Sequence, residues 1–467
     1  MSKLALRNLG IALAGLVVLL VALVVFLCLP RFAGASNSRQ AVPVATFMDS
    51  LGVNTHINFT GPDYSGYADP AITANSLRYI GFRHVRDGGR SFSPEQIARL
   101  VSVAQAADAK LTLTPGSGGP VDLAAFHKGL RDLEAARPGI LAAVEGPNEI
   151  NNVFMQAFWN VEYNGRKSNM CARDFQPTQD LQGDLHRLIK SDPVLKDLPV
   201  YNYTVVYVKK GLGAPGCQAD FEADIQAIGT EEAADFGNIH EYSFQAAAPR
   251  STLFKAMSRK SVTPGKPVVI TETGFATDES AGARPKLAVS ETVQAKYILS
   301  TVFDGYTLGA RRTYIYQLLD NAPDTPATNI EKHFGLFYAD GRPKPAAVAL
   351  HNLSQILAEP AAATSVRREA LVYTIKGPHD LHDMQLLLQK PDGSYVLVLW
   401  AEPKIWDAAA QRDIVVKPSQ VSITLKKPAE RVRIYDPMVG AAPIRTLRNA
   451  RALKVDISDH PVLIAFD

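Results

Sequence analysis

Two glutamates follow short apolar runs, a placement that can bring two carboxyl groups to one site. The first run is Val144-Glu145-Gly146-Pro147-Asn148-Glu149, and the second is Val269-Ile270-Thr271-Glu272. Cleavage of a glycosidic bond uses such a pair. One carboxyl group protonates the leaving oxygen, and the other attacks the anomeric carbon or activates water. Glu149 and Glu272 are therefore the candidate catalytic residues.

Glu145 is the alternative to Glu149 as the acid, because both belong to the first segment. It comes four residues earlier, within the predicted strand or its first bend, and this position favours Glu149. An isolated glutamate is more often exposed to solvent or ion-paired than catalytic. The elements around the two glutamates must therefore support the assignment.

Eight short β-rich runs alternate with helical patterns. The first four are spaced by roughly thirty residues, the length of one strand and helix unit, and eight such units form a (β/α)8 TIM barrel. The runs begin near Val53, Phe82, Leu111, Leu141, Val200, Phe236, Val268 and Arg311. We predict a barrel over residues 36–357, with Glu149 after the fourth strand and Glu272 on the seventh. Catalytic residues of this fold lie at the C-terminal ends of the strands.

Local signals mark the helix starts of this barrel. Asp69-Pro70 and Ser93-Pro94 each place a capping side chain before a proline, and Gln96 completes a capping box with Ser93. Three later helix starts are expected at Asp122, Ser251 and Ser290.

The pattern changes after about residue 358. Apolar and alternating runs follow closely without helices between them, at 371–374, 384–388, 395–400, 421–425, 432–435 and 462–465. Closely spaced strands of this kind are typical of a β-sandwich. We therefore predict a small C-terminal β-sandwich over residues 358–467.

Residues 1–35 have the pattern of an N-terminal membrane anchor or signal peptide. Lys3 and Arg7 precede an apolar run over 9–29, about the ~20 residues that cross a bilayer, and positive charge before the run places the rest of the chain outside. Cleavage after Ala35 remains the alternative. We expect an exported protein, either anchored in the inner membrane and facing the periplasm or secreted.

The charge balance excludes one class of partner. The net charge is +3, and residues 1–35 contribute three basic residues and no acidic one, which leaves 46 basic and 46 acidic residues in the remainder. A nucleic-acid-binding protein would carry a basic surplus, so no nucleic acid is expected.

Cys171 and Cys217 are the cysteines outside the N-terminal segment, and both lie in long inserts, 153–176 and 207–220, that follow strands four and five. In an oxidising compartment such a pair favours a disulfide over a metal site. The sequence lacks HExxH and clustered Cys/His spacing, so we expect no metal and no cofactor.

At this point the chain resembles the retaining clan-A glycoside hydrolases, and within them the family-39-like group of xylosidases and exopolysaccharide hydrolases. The likeness covers roughly residues 50–357 and its motifs occur in the family's order. They are Ile80 to Arg86 on strand two, Asn148-Glu149 on strand four, His240-Glu241-Tyr242 on strand six, Thr271 to Gly274 on strand seven, and 333–345 before the last helix.

The resemblance implies a role for each motif residue. Glu149 would be the general acid and then the base, which requires a raised pKa. Glu272 would be the nucleophile, kept ionised by Arg86 and Tyr242. Asn148 would hold the sugar 2-hydroxyl, and His240 would support the catalytic groups.

Structural alternatives remain for several of these side chains. Arg86 could belong to a buried ion pair, Tyr242 could fill the barrel mouth, and His240 could be a core histidine. Aromatic side chains are the usual platforms for sugar rings, but each candidate could equally be packing. The candidates are Trp159, which we favour, Tyr316, Tyr64, Tyr67, Tyr163 and Tyr207.

The chain departs from the family pattern at four places, one of them strand eight, which has Tyr314, Tyr316 and Gln317 and lacks the tryptophan often found there. Pro147 precedes and Ile150 follows Asn148-Glu149, and Gly88 stands where the family tends to have histidine. Our first hypothesis is a retaining glycoside hydrolase, monomeric, that cleaves β-glycosidic bonds of a cell-envelope or extracellular polysaccharide. The alternatives are a catalytically inactive glycan-binding or polysaccharide-assembly protein on the same barrel, and a periplasmic scaffold that uses the C-terminal domain.

Overall fold

The computed structural model describes residues 40–89, 92–116, 118–155, 160–243, 247–259, 262–277, 288–325, 327, 329–358, 370–378 and 383–467. The predicted N-terminal membrane or signal segment, residues 1–35, and Trp159 lie outside these ranges. Among the described residues, no helix combines the length and apolar character that crossing a membrane requires.

Eight parallel strands form the central sheet, and they lie where the sequence predicts them. They are β1 (Leu51–Asn54), β2 (His84–Gly88), β3 (Lys110–Thr114), β4 (Leu141–Glu145), β5 (Val200–Tyr201), β6 (Gly237–His240), β7 (Val268–Thr273) and β8 (Ala310–Ile315). Hydrogen bonds join them in the order β6-β7-β8-β1-β2-β3-β4-β5. A parallel bridge between Tyr201 and Phe236 connects β5 to the start of β6. The sheet therefore closes into a barrel.

Each strand is followed by a helix that packs outside the barrel. The helices are α1 (Pro70–Ile80), α2 (Pro94–Ala107), α3 (Leu123–Ala136), α4 (Gln176–Ser191), α5 (Phe221–Ile228), α6 (Pro249–Arg259), α7 (Glu291–Thr307) and α8 (Pro345–Leu357). Asp69, Asp122 and Ser290 cap their helices, and Ser93 and Gln96 form the predicted capping box. The prediction of a helix start at Ser251 is wrong, because α6 begins at Pro249.

The C-terminal residues form a β domain beside the barrel. Its strands are β9 (Tyr373–Lys376), β10 (Gln385–Gln389), β11 (Tyr395–Leu399), β12 (Ser419–Tyr435), β13 (Arg445–Ile457) and β14 (Val462–Phe466). Together with the short strand Val42–Pro43, which pairs in parallel with β10, they make one seven-stranded sheet. The tyrosine hydroxyl of Tyr373 on β9 donates to Gln385 on β10 at 3.0 Å, so the sheet folds over on itself.

Burial on both faces explains the continuous apolar character of β10 and β11. Leu388 and Val396 join the core that the barrel helices share, whereas Leu387 and Leu397 face the core enclosed by the folded sheet. A strand covered on both faces has no polar side to expose. The C-terminal β domain therefore packs against the barrel through one face of its own sheet.

The two long inserts are linked covalently, as predicted. Cys171 and Cys217 form a disulfide, with their Cα atoms 4.5 Å apart. The bond joins the segment after β4 to the segment after β5. Val153, Val206 and Val208 pack beside Cys217 in a small apolar cluster of the same two segments. The disulfide thus ties together two loops at the C-terminal face of the barrel.

Candidate active site

The candidate site lies at the C-terminal ends of the barrel strands. Arg86 comes from β2, Glu149 from the segment after β4, His240 from the end of β6, and Glu272 from β7. Arg86 and Glu272 lie within their strands, His240 is the last residue of β6, and Glu149 follows β4. Parallel strands deliver their C-terminal ends to the same barrel face. All four side chains are buried. The structure therefore brings together residues that are up to 186 positions apart.

Arg86 is the centre of the hydrogen-bond network. Its guanidinium donates to both oxygens of Glu145, from Nε at 2.6 Å and Nη2 at 2.9 Å. Nη1 donates to Oε1 of Glu272 at 2.6 Å and to Oδ1 of Asn54 at 3.0 Å, and Nη2 also donates to Oδ1 of Asn148 at 2.7 Å. Burial acts to lower the pKa of Arg86, but the charges of Glu145 and Glu272 outweigh it and raise the pKa above its ordinary value. Arg86 therefore remains cationic.

Glu145 has its carboxyl group inside the barrel, away from solvent. Besides Arg86, its Oε1 accepts hydrogen bonds from Asn238 at 3.0 Å and Thr271 at 3.1 Å. All of these partners belong to the barrel wall. The position supports Glu145 as the fixed counter-ion of Arg86 and leaves Glu149 as the candidate acid.

Glu272 receives one donor on each carboxyl oxygen. Nη1 of Arg86 contacts Oε1, and the hydroxyl of Tyr242 donates to Oε2 at 2.6 Å. Burial, followed by the charge of Glu272, raises the pKa of Tyr242 well above its ordinary value, so the phenol keeps its proton and remains a donor. These two donors hold the carboxyl group of Glu272 in one orientation.

Glu149 lies at a sharp bend of the chain directly after β4. Its φ of 46° is in the left-handed region, where residues other than glycine are uncommon. The backbone N–H of Glu149 donates to Oγ1 of Thr204 at 2.8 Å, and Nδ2 of Asn152 donates to Oε2 at 2.8 Å. The irregular segment after β5 therefore fixes the backbone that carries this carboxyl group.

His240 stands between the two candidate catalytic carboxyl groups. Its Nδ1 is 2.9 Å from Oε1 of Glu149 and 3.4 Å from Oε2 of Glu272. On the other side of the ring, Nε2 is 2.9 Å from Oγ1 of Thr271. The ring is therefore in direct contact with Glu149 and near Glu272.

Glu149, His240 and Glu272 each offer one potential metal-ligand atom, and these atoms lie within 4.8 Å of one another. The sequence analysis predicts no metal. Arg86 already places a positive charge 2.6 Å from Glu272, which competes with a metal cation for the same carboxylate. We therefore interpret the trio as hydrogen-bonding groups.

Aromatic rings line the side of the site formed by β1 and β8. The hydroxyl of Tyr316 is 3.4 Å from Nε2 of His56, and its ring centroid is 6.2 Å from that of Tyr242 and 5.5 Å from that of Phe334. Burial, then the charge of Arg86, lowers the pKa of His56 to about 3, so this imidazole is neutral. Tyr316 thus lies beside the residues that hold Glu272.

The other candidate platforms have different surroundings. Tyr64 packs against His56, and Tyr67 is fully buried with its hydroxyl donating to Gln317 at 3.1 Å. Tyr163 donates to Asp184 at 2.8 Å, away from the two glutamates. Tyr207 is 46% exposed on the loop after β5, and its ring packs edge-on against that of Phe221 with the centroids 5.6 Å apart.

Several polar residues of the site were not predicted from the sequence. Asn54, Thr204 and Asn238 all contact the candidate catalytic residues or their direct partners. A signal was present for both amides, since Asn54 ends an apolar strand and Asn238 lies two residues before His240 on β6. Thr204 had no such signal, because it lies in an irregular segment and acts on the backbone of Glu149.

Comparison with solved structures identifies the fold. A family 39 glycoside hydrolase from the gut symbiont Bacteroides cellulosilyticus WH2 matches with 15% identity and a TM-score of 0.54, over 92% of this chain and 82% of that one. The chain thus has the fold of a family 39 glycoside hydrolase, as its resemblance implied.

Two further solved structures show weaker similarity. A family 17 β-1,3-glucanosyltransferase from Rhizomucor miehei has 16% identity and a TM-score of 0.40, over 64% of this chain and 97% of that one. A family 2 β-galacturonidase from Eisenbergiella tayi, bound to galacturonate, has 15% identity and a TM-score of 0.42, over 64% of this chain and 50% of that one. Both TM-scores are too low to carry an argument. No protein-family model and no curated protein matches the sequence.

Proposed function

We propose that the protein is a retaining glycoside hydrolase that cleaves β-glycosidic bonds. One observation carries the proposal: oxygens of Glu149 and Glu272 lie within 4.8 Å of one another, at the ends of two barrel strands. Retaining enzymes hold their two carboxyl groups about 5 to 5.5 Å apart, whereas inverting enzymes leave about 6.5 to 9.5 Å for a water molecule. The short separation supports direct attack by a carboxylate.

In the first step, an oxygen of Glu272 bonds to the anomeric carbon as the glycosidic carbon–oxygen bond breaks. The proton of Glu149 passes to the leaving oxygen, so that neither product carries an alkoxide charge. Arg86 and Tyr242 hold the carboxylate of Glu272 in a fixed orientation before the attack. The product of this step is a glycosyl ester on Glu272.

In the second step, Glu149 is a carboxylate and takes a proton from water. The water oxygen bonds to the anomeric carbon, the ester bond breaks, and Glu272 returns to its ionised form. Asn148 accepts from Arg86 through Oδ1 at 2.7 Å, which turns its amide nitrogen away from the guanidinium. We assign that nitrogen to the sugar 2-hydroxyl.

We further propose a cell-envelope or extracellular polysaccharide as the substrate, with Tyr316 and the exposed Tyr207 as contacts for sugar rings. The apolar N-terminal run would place the protein outside the inner membrane, anchored to it or released after Ala35, and we propose that it acts as a monomer. A catalytically inactive glycan-binding or assembly protein is the competing function, and the experiment below separates the two.

The test is hydrolysis of a panel of aryl β-glycosides and bacterial exopolysaccharides by the protein, Glu149→Gln and Glu272→Gln. We expect products with retained anomeric configuration and near-complete loss of rate in both variants. A wild-type protein that binds one polymer but cleaves none, with variants that bind equally well, would instead support the glycan-binding function.

A further inference from the structure

A short chain of hydrogen bonds runs behind His240, away from the substrate side. It starts at Asn238, whose Nδ2 is 3.0 Å from the carbonyl oxygen of Asn202 and 3.0 Å from Oε1 of Glu145. Both neighbours are acceptors, since Glu145 is the carboxylate paired with Arg86. The amide nitrogen of Asn238 must therefore face them. Its oxygen, Oδ1, faces the hydroxyl of Thr271 at 2.7 Å.

The hydroxyl of Thr271 has a single hydrogen and two acceptors within reach. Oδ1 of Asn238 is 2.7 Å away and Oε1 of Glu145 is 3.1 Å away. Whichever of the two receives the hydrogen, Thr271 has none left for a third neighbour. The contact of 2.9 Å between Oγ1 and Nε2 of His240 then requires a proton on Nε2. The chain of bonds thus selects one tautomer of the imidazole.

This tautomer determines whether Nδ1 of His240 donates to Glu149 or accepts from it. A neutral imidazole with its proton on Nε2 presents a lone pair at Nδ1, and Nδ1 is 2.9 Å from Oε1 of Glu149. An acceptor facing a carboxyl group stabilises its protonated form. We infer that Thr271 and Asn238 are positioning residues that fix His240 as the Nε2–H tautomer, and that His240 thereby holds the proton on Glu149.

The charges around the pair act in the same direction. Glu272 lies 3.4 Å from Nδ1 and Glu145 lies 4.0 Å from Nε2. Arg86 pairs with both of these glutamates, and Tyr242 is a neutral donor. Two negative charges and one positive charge leave a net negative charge beside Glu149 and His240, which favours retention of a proton by the pair.

The inference rests on the proposed function only where it assumes that Glu149 donates its proton to the leaving oxygen. A direct test is the 15N NMR spectrum of histidine-labelled protein, in which the two imidazole nitrogens distinguish the Nε2–H, Nδ1–H and doubly protonated forms. The signal of His240 is assigned by its loss in His240→Gln. We expect the Nε2–H form at neutral pH. A proton on Nδ1, alone or with one on Nε2, overturns the inference, and this readout does not depend on any catalytic activity.

Variants of Thr271 extend the test to the chemistry. Thr271→Val removes the hydroxyl at nearly constant volume, so His240 loses its acceptor and is free to place its proton on Nδ1. Thr271→Ser keeps the hydroxyl and is the matched control. In Thr271→Val we expect the alkaline decline of kcat/KM to occur at a pH about 1 unit lower than in the wild type. In Thr271→Ser we expect the decline at the wild-type pH.

The choice of leaving group separates loss of the acid from general damage. A dinitrophenyl glycoside needs little protonation of its leaving oxygen, whereas an alkyl glycoside needs it fully. Thr271→Val should lower kcat about 10-fold or more for the alkyl glycoside. For the dinitrophenyl glycoside, the rate of the first chemical step should change little. Equal losses on both substrates, or an unmoved pH limb, contradict the inference. If the wild type cleaves neither, the proposed function fails, while the NMR spectrum still decides the tautomer.

Discussion

Arg86 gives Glu272 a single hydrogen bond, from Nη1 to Oε1 at 2.6 Å. The remainder of the guanidinium is engaged mainly with Glu145, which it meets through two nitrogens. One planar cation therefore joins a structural carboxylate to the candidate nucleophile. A lysine ammonium is a single point of charge and lacks the several fixed N–H donors of a guanidinium. A lysine at position 86 therefore cannot replace the arginine.

Arg86→Lys should therefore cost both activity and stability. We expect kcat/KM to fall by about 10² or more, and the free energy of unfolding to fall by about 3 to 5 kcal/mol because a buried carboxylate loses its partner. Kinetics on an aryl glycoside and urea unfolding measure the two effects. Arg83→Lys is the control, since Arg83 ends in an exposed ion pair with a side chain 72% accessible. Similar losses in the two variants would contradict the prediction.

Tyr242→Phe removes the second donor to the nucleophile and keeps the ring. Because the hydroxyl is 2.6 Å from Oε2 of Glu272, we expect kcat/KM to fall about 10-fold to 100-fold and stability by only about 1 kcal/mol. Tyr316→Phe is the matched control, since its hydroxyl makes a longer contact of 3.4 Å with His56. An effect of Tyr316→Phe as large as that of Tyr242→Phe would show that the loss is not specific to Glu272.

A pair of buried carboxyl groups between the barrel and the β domain should make the folded protein less stable as pH rises. Oδ1 of Asp304 accepts from Trp400 at 3.1 Å and from Arg250 at 3.2 Å, and Glu402 lies against the same carboxyl group. Burial, together with Asp304, raises the pKa of Glu402 from 4.5 to about 10. A raised pKa means that the protonated form is stabilised by folding. This stability is complete below pH 4.5 and is lost as pH rises toward 10.

The measurement is the Tm as a function of pH for the wild type and Glu402→Gln, which mimics the protonated acid. The variant should show a weaker decline between pH 5 and 10. Some decline will remain near pH 9, since Asp436 and Asp459 outweigh burial and raise the pKa of His460 to about 9. Parallel Tm curves for the two proteins would refute the role of the Glu402 proton.

The disulfide should matter for both folding and the candidate acid. It closes a loop between residues 46 positions apart, for which chain entropy predicts a contribution of about 4 kcal/mol. The loops that it joins also carry Val206, which exchanges two hydrogen bonds with Asn151, two residues after Glu149. In a Cys171→Ser, Cys217→Ser double variant we expect a lower Tm and a lower kcat. An unchanged kcat would show that Asn151 holds the Glu149 segment without the disulfide.

The barrel was predictable because its signals are local. Apolar runs of four to six residues and capped helix starts recur at the spacing of one strand and helix unit, and the eight runs from Val53 to Arg311 correspond to β1 to β8. The pairing of Val42–Pro43 with β10 was not predictable, because two residues carry no periodic pattern and their partner lies more than 300 positions away.

The candidate site was predictable to the extent that residue type and strand end identify it. The residues Arg86, Glu149, His240, Tyr242 and Glu272 lie together in the structure. The residues behind them, such as Asn238 and Thr271, are ordinary polar side chains whose importance depends on which acceptor faces them across the barrel. Such neighbours come from different strands, so the local sequence shows that these residues are polar but not which groups face them.

The strand Val42–Pro43 also determines how a tethered molecule would be oriented. The chain passes from this strand through the short helix Val44–Asp49 into the start of β1, and thus enters the barrel at the end opposite to Glu149 and Glu272. The proposed N-terminal attachment would therefore join the barrel at the end that does not carry the two glutamates, and a polymer that binds them would approach the other end.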